Sequence, residues 1–178
     1  MSGHNKWSKI KNKKAVTDAA KSKIFSKMAK LISTASRQVK GDVSSPILRA
    51  AIDKAREYNM PADNIDRAVK KGSGSDAEAL DAITYEAYGP GGSALIIEAL
   101  TNNRNKAAQE VKFILSKNGF QLAAPGAASW AFTREPTTND LRPTTTIKLS
   151  ENDEIALEKL IEELEDNDEV QDVYTNAE

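Results

Sequence analysis

Hydrophobic side chains in the first 75 residues recur at the spacing of amphipathic helices. A first helix is predicted from Thr17 or Asp18 to Gln38, because its apolar residues fall at i, i+3, i+4 and i+7. Ser45-Pro46 pairs an N-cap residue with a first-turn proline and predicts a second helix, which ends at Asn59-Met60-Pro61. A third helix is predicted over 62–71, where Gly72 should end it. Three short helices with small loops predict a compact bundle.

The second part of the chain changes to the alternating pattern of strands. Residues 83–88 and 93–100 flank a Gly-Pro-Gly-Gly turn and predict a β-hairpin. Asn103 and Ser150 are predicted to cap two further helices, the first over 104–118. Three more strands are predicted, at 129–133, 145–149 and 170–174. About five strands and two helices predict a small ferredoxin-like-type α/β domain whose sheet is covered on one face, and the whole chain is expected to be α+β.

Charge divides the chain at the same place as the hydrophobic pattern. Residues 1–71 contain 17 basic and 6 acidic side chains, a net charge of +11, whereas residues 72–178 contain 8 basic and 20 acidic ones, a net charge of −12. A Gly/Ser-rich linker follows Lys70-Lys71 at the point of change. We therefore predict a basic helical domain over 1–75 and an acidic α/β domain over 76–178.

The basic half is predicted to bind a polyanion. Within the first 40 residues Asp18 is the only acid among 11 bases, and such a field attracts phosphates. Trp7 lies among the lysines of the N-terminal tail, where an indole can stack on a base or anchor the tail to the bundle. Four further cations of the first helix fall together on the face opposite its apolar stripe. The candidate nucleic-acid-binding residues are Lys6, Trp7, Lys9, Lys11, Lys13, Lys14, Lys23, Lys27, Lys30 and Arg37.

The composition argues against most catalytic and metal chemistry. The chain has no Cys and a single His, His4, so neither a thiolate site nor a two-histidine metal site can form within it. The Gly-Pro-Gly-Gly turn lacks the Gly-Lys-Ser/Thr of a phosphate-binding loop. An enzyme built on carboxylates would need an apolar pocket around two of Glu86, Glu98 and Glu110. We expect no enzyme activity, no cofactor and no small-molecule substrate.

The hydropathy of the chain also bears on its location. No apolar run approaches the length of about 18 residues that a membrane-spanning helix requires, and no apolar segment follows the basic N-terminus as in a signal peptide. The expectation is a cytoplasmic protein without a membrane partner.

Several motifs resemble the YebC/PmpR family. The opening Gly3–Lys11, the second-helix segment Leu48–Ala55, the hairpin Tyr85–Gly92, the segment Leu100–Asn105 and the closing Val170–Asn176 are similar to that family's signatures. The resemblance covers residues 2–133 and about 145–176. It implies a non-enzymatic regulator of gene expression, described either as a DNA-binding transcriptional regulator or as a ribosome-associated translation factor.

The chain departs from the family pattern near residues 134–144. Family members usually carry a third α/β domain between the Trp-Ala-Phe strand and the last helix, and that domain is expected to be absent here. The resemblance therefore implies no partner contact or dimerisation that depends on that domain.

Two functions from different classes follow. The first is nucleic-acid binding through the basic half, with DNA or ribosomal RNA as the partner and the ribosome as a possible site of action. Because lysines position a protein and read little sequence, the residues favour structured RNA over sequence-specific DNA. The alternative is a protein-interaction adaptor that docks a basic partner on its acidic C-terminal helix.

Overall fold

The computed structural model describes residues 17–178, which form two compact units. The helical unit comprises residues 17–80 and the sheet unit comprises residues 81–178. Within these residues the chain contains five α-helices and five β-strands, which confirms the predicted α+β class with an N-terminal helical part. The units divide between Leu80 and Asp81, five residues after the predicted boundary.

The helical unit contains three helices close to the predicted ones: α1 (Asp18–Gln38), α2 (Pro46–Glu57) and α3 (Ala62–Ser73). Thr17 caps α1, because its side chain accepts a hydrogen bond from the backbone N–H of Ala20 at 3.2 Å. Asn59 turns the chain between α2 and α3 in the left-handed conformation, at φ 59°. The apolar stripes of the three helices meet in one core, which includes Met28, Ile32, Leu48, Ala51, Ala55, Ile65 and Ala68.

Gly72 does not end α3 as predicted. It lies inside the helix and is buried, and α3 continues to Ser73. A Cβ built on Gly72 would lie 2.7 Å from the Cβ of Ser36 and 2.8 Å from the Cα of Ser33, both in α1. The absent side chain therefore permits close approach of the two helices, and this tertiary contact outweighs the low helix propensity of glycine.

The sheet unit is built around an antiparallel sheet of three strands in the order β1 (Asp81–Tyr88), β2 (Ala94–Thr101), β5 (Val170–Thr175). The predicted hairpin pairs Asp81 with Thr101 at one end and Tyr88 with Ala94 at the other. Its turn contains a short 3-10 helix at Pro90–Gly92. The outer strand β5 joins β2 with a register shift between Glu98 and Ala99.

Both faces of this sheet are covered, not one face as predicted. Helices α4 (Arg104–Lys117) and α5 (Glu151–Asp166) pack on one face, with Leu95 and Ile97 of β2 in the core between them. On the other face Ile96 packs beneath the segment that includes Ala128, Ala131 and Phe132. The alternation of β2 therefore reflects two different cores, one on each face, so nearly every residue of the strand is buried.

Two of the predicted strands are wrong in their bounds or absent. Residues 129–133 form a 3-10 helix (Ser129–Ala131) followed by the short β3 (Phe132–Arg134), which pairs with an unpredicted β4 (Leu141–Pro143). Residues 145–149 form no strand, and Ile147 makes only an isolated parallel bridge to Ala177. The five strands thus form one sheet of three and one of two. None of the helices between residues 17 and 178 is long and apolar enough to cross a membrane.

Candidate nucleic-acid interface

The structure locates only part of the predicted basic surface. Six of the candidate residues lie outside the described residues: Lys6, Trp7, Lys9, Lys11, Lys13 and Lys14. Of the four on α1, Arg37 is exposed, Lys23 and Lys30 are half-buried, and Lys27 is only 8 % exposed. The prediction that these four residues form an open cationic face is wrong at Lys27.

The burial of Lys27 shows where the helical wheel fails. A wheel sorts the faces of one helix by that helix's own residues and does not register what other parts of the chain cover. Lysine can bury its aliphatic stem while its ammonium keeps a polar partner. Lys23, Lys27 and Lys30 all have interaction partners. Arg37 is also engaged, because its guanidinium donates a hydrogen bond to the backbone carbonyl of Ala77.

A groove between α2 and α3 presents cations outside the predicted set. It encloses about 400 Å³. Ile52, Ile65 and Val69 form its apolar floor, and Val43, 59 % exposed, extends the apolar surface at its edge. Its exposed rim carries charges of both signs, from Arg49, Arg56, Lys70, Asp53 and Asp66.

The local order of the groove follows from helix geometry. Arg49, Ile52, Asp53 and Arg56 occupy one face of α2 at i, i+3, i+4 and i+7. Arg56 pairs with Asp53 at 3.1 Å, and a guanidinium N–H of Arg49 donates to the carbonyl of Ser44 at 3.2 Å. The i, i+7 spacing of Arg49 and Arg56 in the sequence is enough to predict that both lie on this face of α2.

The carboxylates considered for catalysis have structural partners. Glu98 pairs with Arg134 at 2.7 Å. Glu110 accepts a hydrogen bond from the side-chain amide of Asn167 at 2.8 Å and lies 3.9 Å from the ammonium of Lys106. Within residues 17–178, no group of three or more His, Cys, Asp or Glu residues is arranged to hold a metal ion.

Glu86 is the most heavily engaged of these acids. Its buried carboxylate accepts backbone N–H bonds from Gly126 and Ala128, both at 2.7 Å, and from Ser129 at 2.9 Å. Burial alone would raise the pKa of Glu86, but the hydrogen bonds from this loop hold the pKa below its ordinary value. Glu86 therefore fixes the loop over the second face of the sheet and is not poised to exchange a proton.

Family models assign almost the whole chain. The model of the TACO1/YebC protein N-terminal domain matches residues 5–75. The model of the TACO1/YebC second and third domain matches in two parts, residues 80–139 and 135–177. The chain belongs to the TACO1/YebC family. This membership confirms the resemblance that the sequence motifs indicated.

Several TACO1/YebC relatives carry the name "Probable transcriptional regulatory protein". The relative from Fervidobacterium nodosum is 46 % identical over 175 residues, covering 96 % of this chain and 68 % of the relative. That from Trichlorobacter lovleyi is 43 % identical, covering 98 % and 70 % respectively. That from Kineococcus radiotolerans is 51 % identical over 138 residues, 76 % of this chain and 54 % of the relative. The chain therefore spans between about half and seven tenths of these relatives.

A solved structure shares the TACO1/YebC fold seen here. The crystal structure of the conserved hypothetical protein Aq1575 from Aquifex aeolicus superposes with a TM-score of 0.78 at 28 % sequence identity. The match covers 90 % of this chain and 91 % of the other. The relatives are named as regulatory proteins and not as enzymes, in keeping with the structural roles of Glu86, Glu98 and Glu110.

Proposed function

We propose that this TACO1/YebC chain is a non-enzymatic regulator of gene expression that binds nucleic acid through its basic half, residues 1–75. The division of charge carries the proposal: +11 over residues 1–71 against −12 over 72–178. Phosphate neutralisation by lysine and arginine supplies most of the affinity of such a surface, and it requires no particular sequence. The regulatory name of the relatives supports the same function.

The helical unit presents further exposed cations outside the ten candidate residues. Lys21, Arg49, Arg67, Lys70 and Lys71 are all exposed on the helical unit. The ten candidate residues from Lys6 to Arg37 remain the proposed contact set, with Lys27 contributing least because it is buried. DNA and structured ribosomal RNA are both partners of the right charge, and the cytoplasm is where this proposal places the protein.

We also propose that the third domain of longer family members is missing from residues 134–144. The family model for the second and third domain matches in two parts that meet at residues 135–139. In the structure this segment is a tight hairpin connection, in which the backbone N–H of Glu135 donates to the carbonyl of Asp140 at 2.8 Å. In the acidic domain β1, β2 and β5 pair directly with one another, and β3 and β4 pair only with each other.

Co-sedimentation with purified ribosomes at near-physiological salt, with and without excess duplex DNA, tests the binding proposal. A variant with Lys6, Lys9, Lys11, Lys13 and Lys14 changed to Gln should lose sedimentation. A matched control changes the five lysines of the sheet unit to Gln and should retain it: Lys106, Lys112, Lys117, Lys148 and Lys159. Binding that survives DNA indicates ribosomal RNA, whereas binding that DNA removes indicates a generic polyanion surface. Equal loss in both variants would contradict the proposal.

A further inference from the structure

The groove between α2 and α3 has a combination of surfaces that plain phosphate binding does not need. Phosphate neutralisation needs cations within reach of the backbone, but it needs no apolar floor beneath them. Here the cations Arg49 and Lys70 stand on the rim of a concavity of about 400 Å³ whose floor includes the buried side chains of Ile52 and Ile65. A volume near the lower end of the range for small-ligand sites admits one nucleotide and excludes the width of a duplex.

The rim charges distinguish between classes of occupant. Asp53 and Asp66 stand beside the cations, so an acidic peptide would meet repulsion as well as attraction. A nucleotide matches both signs of charge on the rim. Its anionic phosphates suit the cations, and the amino and imino N–H groups of its base edge can donate hydrogen bonds to the carboxylates. Apolar side chains can also pack against the face of an unstacked base.

The hydrogen bonds and ion pairs that Arg49, Arg56 and Asp53 already make do not prevent them from contacting a nucleotide. The pair between Arg56 and Asp53 is solvent-exposed, with side-chain exposures of 67 % and 57 %, so it exchanges readily with other partners. Arg49 uses one of its five N–H donors on the carbonyl of Ser44. Val43, at the edge of the groove, extends the apolar surface toward solvent, where an entering base would first make contact.

We propose that this groove receives one unpaired nucleotide of the bound nucleic acid, with the base against Ile52 and Ile65 and the flanking phosphates on Arg49 and Lys70. The inference rests on the proposed function and deepens it. The N-terminal tail would supply attraction to any polyanion, and the groove would supply a preference for unpaired residues, the form in which RNA is most often recognised specifically.

Fluorescence anisotropy with two probes of equal length and charge per strand tests the proposal. One probe is a labelled single-stranded RNA, and the other is the same strand annealed to its complement. The full-length chain is compared with Arg49→Gln/Lys70→Gln, and the matched control is Arg67→Gln/Lys71→Gln, which removes the same two charges from the same unit outside the groove.

We expect the groove variant to lose about tenfold in affinity for the single strand beyond its loss for the duplex, because it lacks the two charge-assisted contacts to the phosphates that flank the bound nucleotide. The control variant should lose the same factor in affinity for the single strand and for the duplex. If the wild-type chain binds neither probe, the proposed function itself fails. If it binds both but the groove variant and the control behave alike, the groove proposal is overturned while nucleic-acid binding stands.

Discussion

Gly72 of α3 lies directly against the backbone of Ser33 in α1. A Cβ at Gly72 would overlap the Ser33 carbonyl oxygen and would lie 2.8 Å from the Ser33 Cα, so the two helices touch with no side chain between them. The hydroxyl of Ser36, one turn further along α1, donates to the carbonyl of Val69 at 2.7 Å and fixes the same crossing. The bundle is therefore held at one point by backbone contact as well as by its apolar core.

Replacing Gly72 by Ala should destabilise the helical unit. Overpacking against a rigid backbone costs about 1–3 kcal/mol, and the helix propensity of alanine offsets about 1 kcal/mol of that. We expect a net loss of about 1 kcal/mol, with an upper limit of about 2 kcal/mol, in urea unfolding followed by circular dichroism at 222 nm. Gly74→Ala is the matched control, because its Cβ would lie 3.5 Å from the nearest atom, the Lys70 carbonyl oxygen. Equal unfolding midpoints for the two variants would refute the close approach.

Glu86→Gln should release the loop at residues 126–129. The amide retains one acceptor oxygen for three backbone N–H groups and presents its own N–H₂ to them, so about 3 kcal/mol of stability should be lost. Trp130 reports on the loop by fluorescence in a Trp7→Phe background. The control is Glu98→Gln, which breaks a partly exposed pair with Arg134 and should cost less than about 1 kcal/mol.

The pH dependence of this effect has a definite sign. The pKa of folded Glu86 lies below the ordinary value of 4.5, so its contribution is complete above pH 4.5 and is lost as the pH falls through the lowered pKa. The stability difference between the wild type and Glu86→Gln should therefore shrink on acidification. A difference that stays constant from pH 7 into the acid transition would show that the carboxylate charge is not responsible.

Tyr174 should make the stability of the protein fall at alkaline pH, whereas Glu86 makes it fall at acid pH. Burial raises its pKa above the ordinary value of 10.0, and the charges of Asp172 and Glu98 raise it further. Stability is then complete below pH 10 and decreases as the pH rises toward the raised pKa. Tyr174→Phe removes the 3.3 Å hydrogen bond to Asp140, but its free energy of unfolding should fall less than that of the wild type as the pH rises above 10. Urea unfolding of both proteins between pH 7 and pH 11 measures this difference. Parallel plots of unfolding free energy against pH would contradict the expectation.

Nucleic-acid binding by the basic half should depend steeply on salt. If about five phosphates are neutralised on duplex DNA, the logarithm of the binding constant should fall with the logarithm of salt concentration at a slope of about −4 to −5. Changing the five tail lysines to Gln should flatten the slope, whereas the five-lysine control in the sheet unit should leave it unchanged. A complex insensitive to salt would exclude this mode of binding.

Charge reversal on α5 separates the binding proposal from the adaptor alternative. Glu158, Glu162 and Glu165 lie on this helix, and changing all three to Lys should leave nucleic-acid affinity intact or raise it slightly, because it removes repulsion of phosphates. Lys9, Lys11 and Lys13 changed to Glu reverse the same number of charges and should abolish binding. If regulation in cells is lost with the charge reversal on α5 and retained with the charge reversal in the tail, the adaptor alternative is favoured.

Local signals in the sequence predicted the helices well. Thr17, Pro46 and Ser150 mark three helix starts because capping involves only neighbouring residues. The strand predicted at 145–149 failed because a strand exists only through its partner, and Ile147 finds one bridge to Ala177 instead of a ladder.

In the candidate site, too, contacts within one helix could be predicted from the sequence, whereas contacts between helices could not. That Arg49 and Arg56 share a helix face follows from their spacing, but Lys70 joins their groove only through the turn at Asn59. Nothing in the local pattern shows Gly72 meeting Ser33, or Lys27 leaving solvent, because both depend on neighbours distant in the sequence.

The position of β2 sets an order of assembly for the newly made chain. Its first neighbour β1 is joined to it by a short turn, whereas its second neighbour β5 begins 69 residues after β2 ends. During synthesis the helical unit can complete its core once residue 73 is free, but the sheet must wait for β5 with its central strand open on one side. That interval exposes an apolar edge to other nascent chains, and it makes the sheet unit the slower and more aggregation-prone part of the molecule.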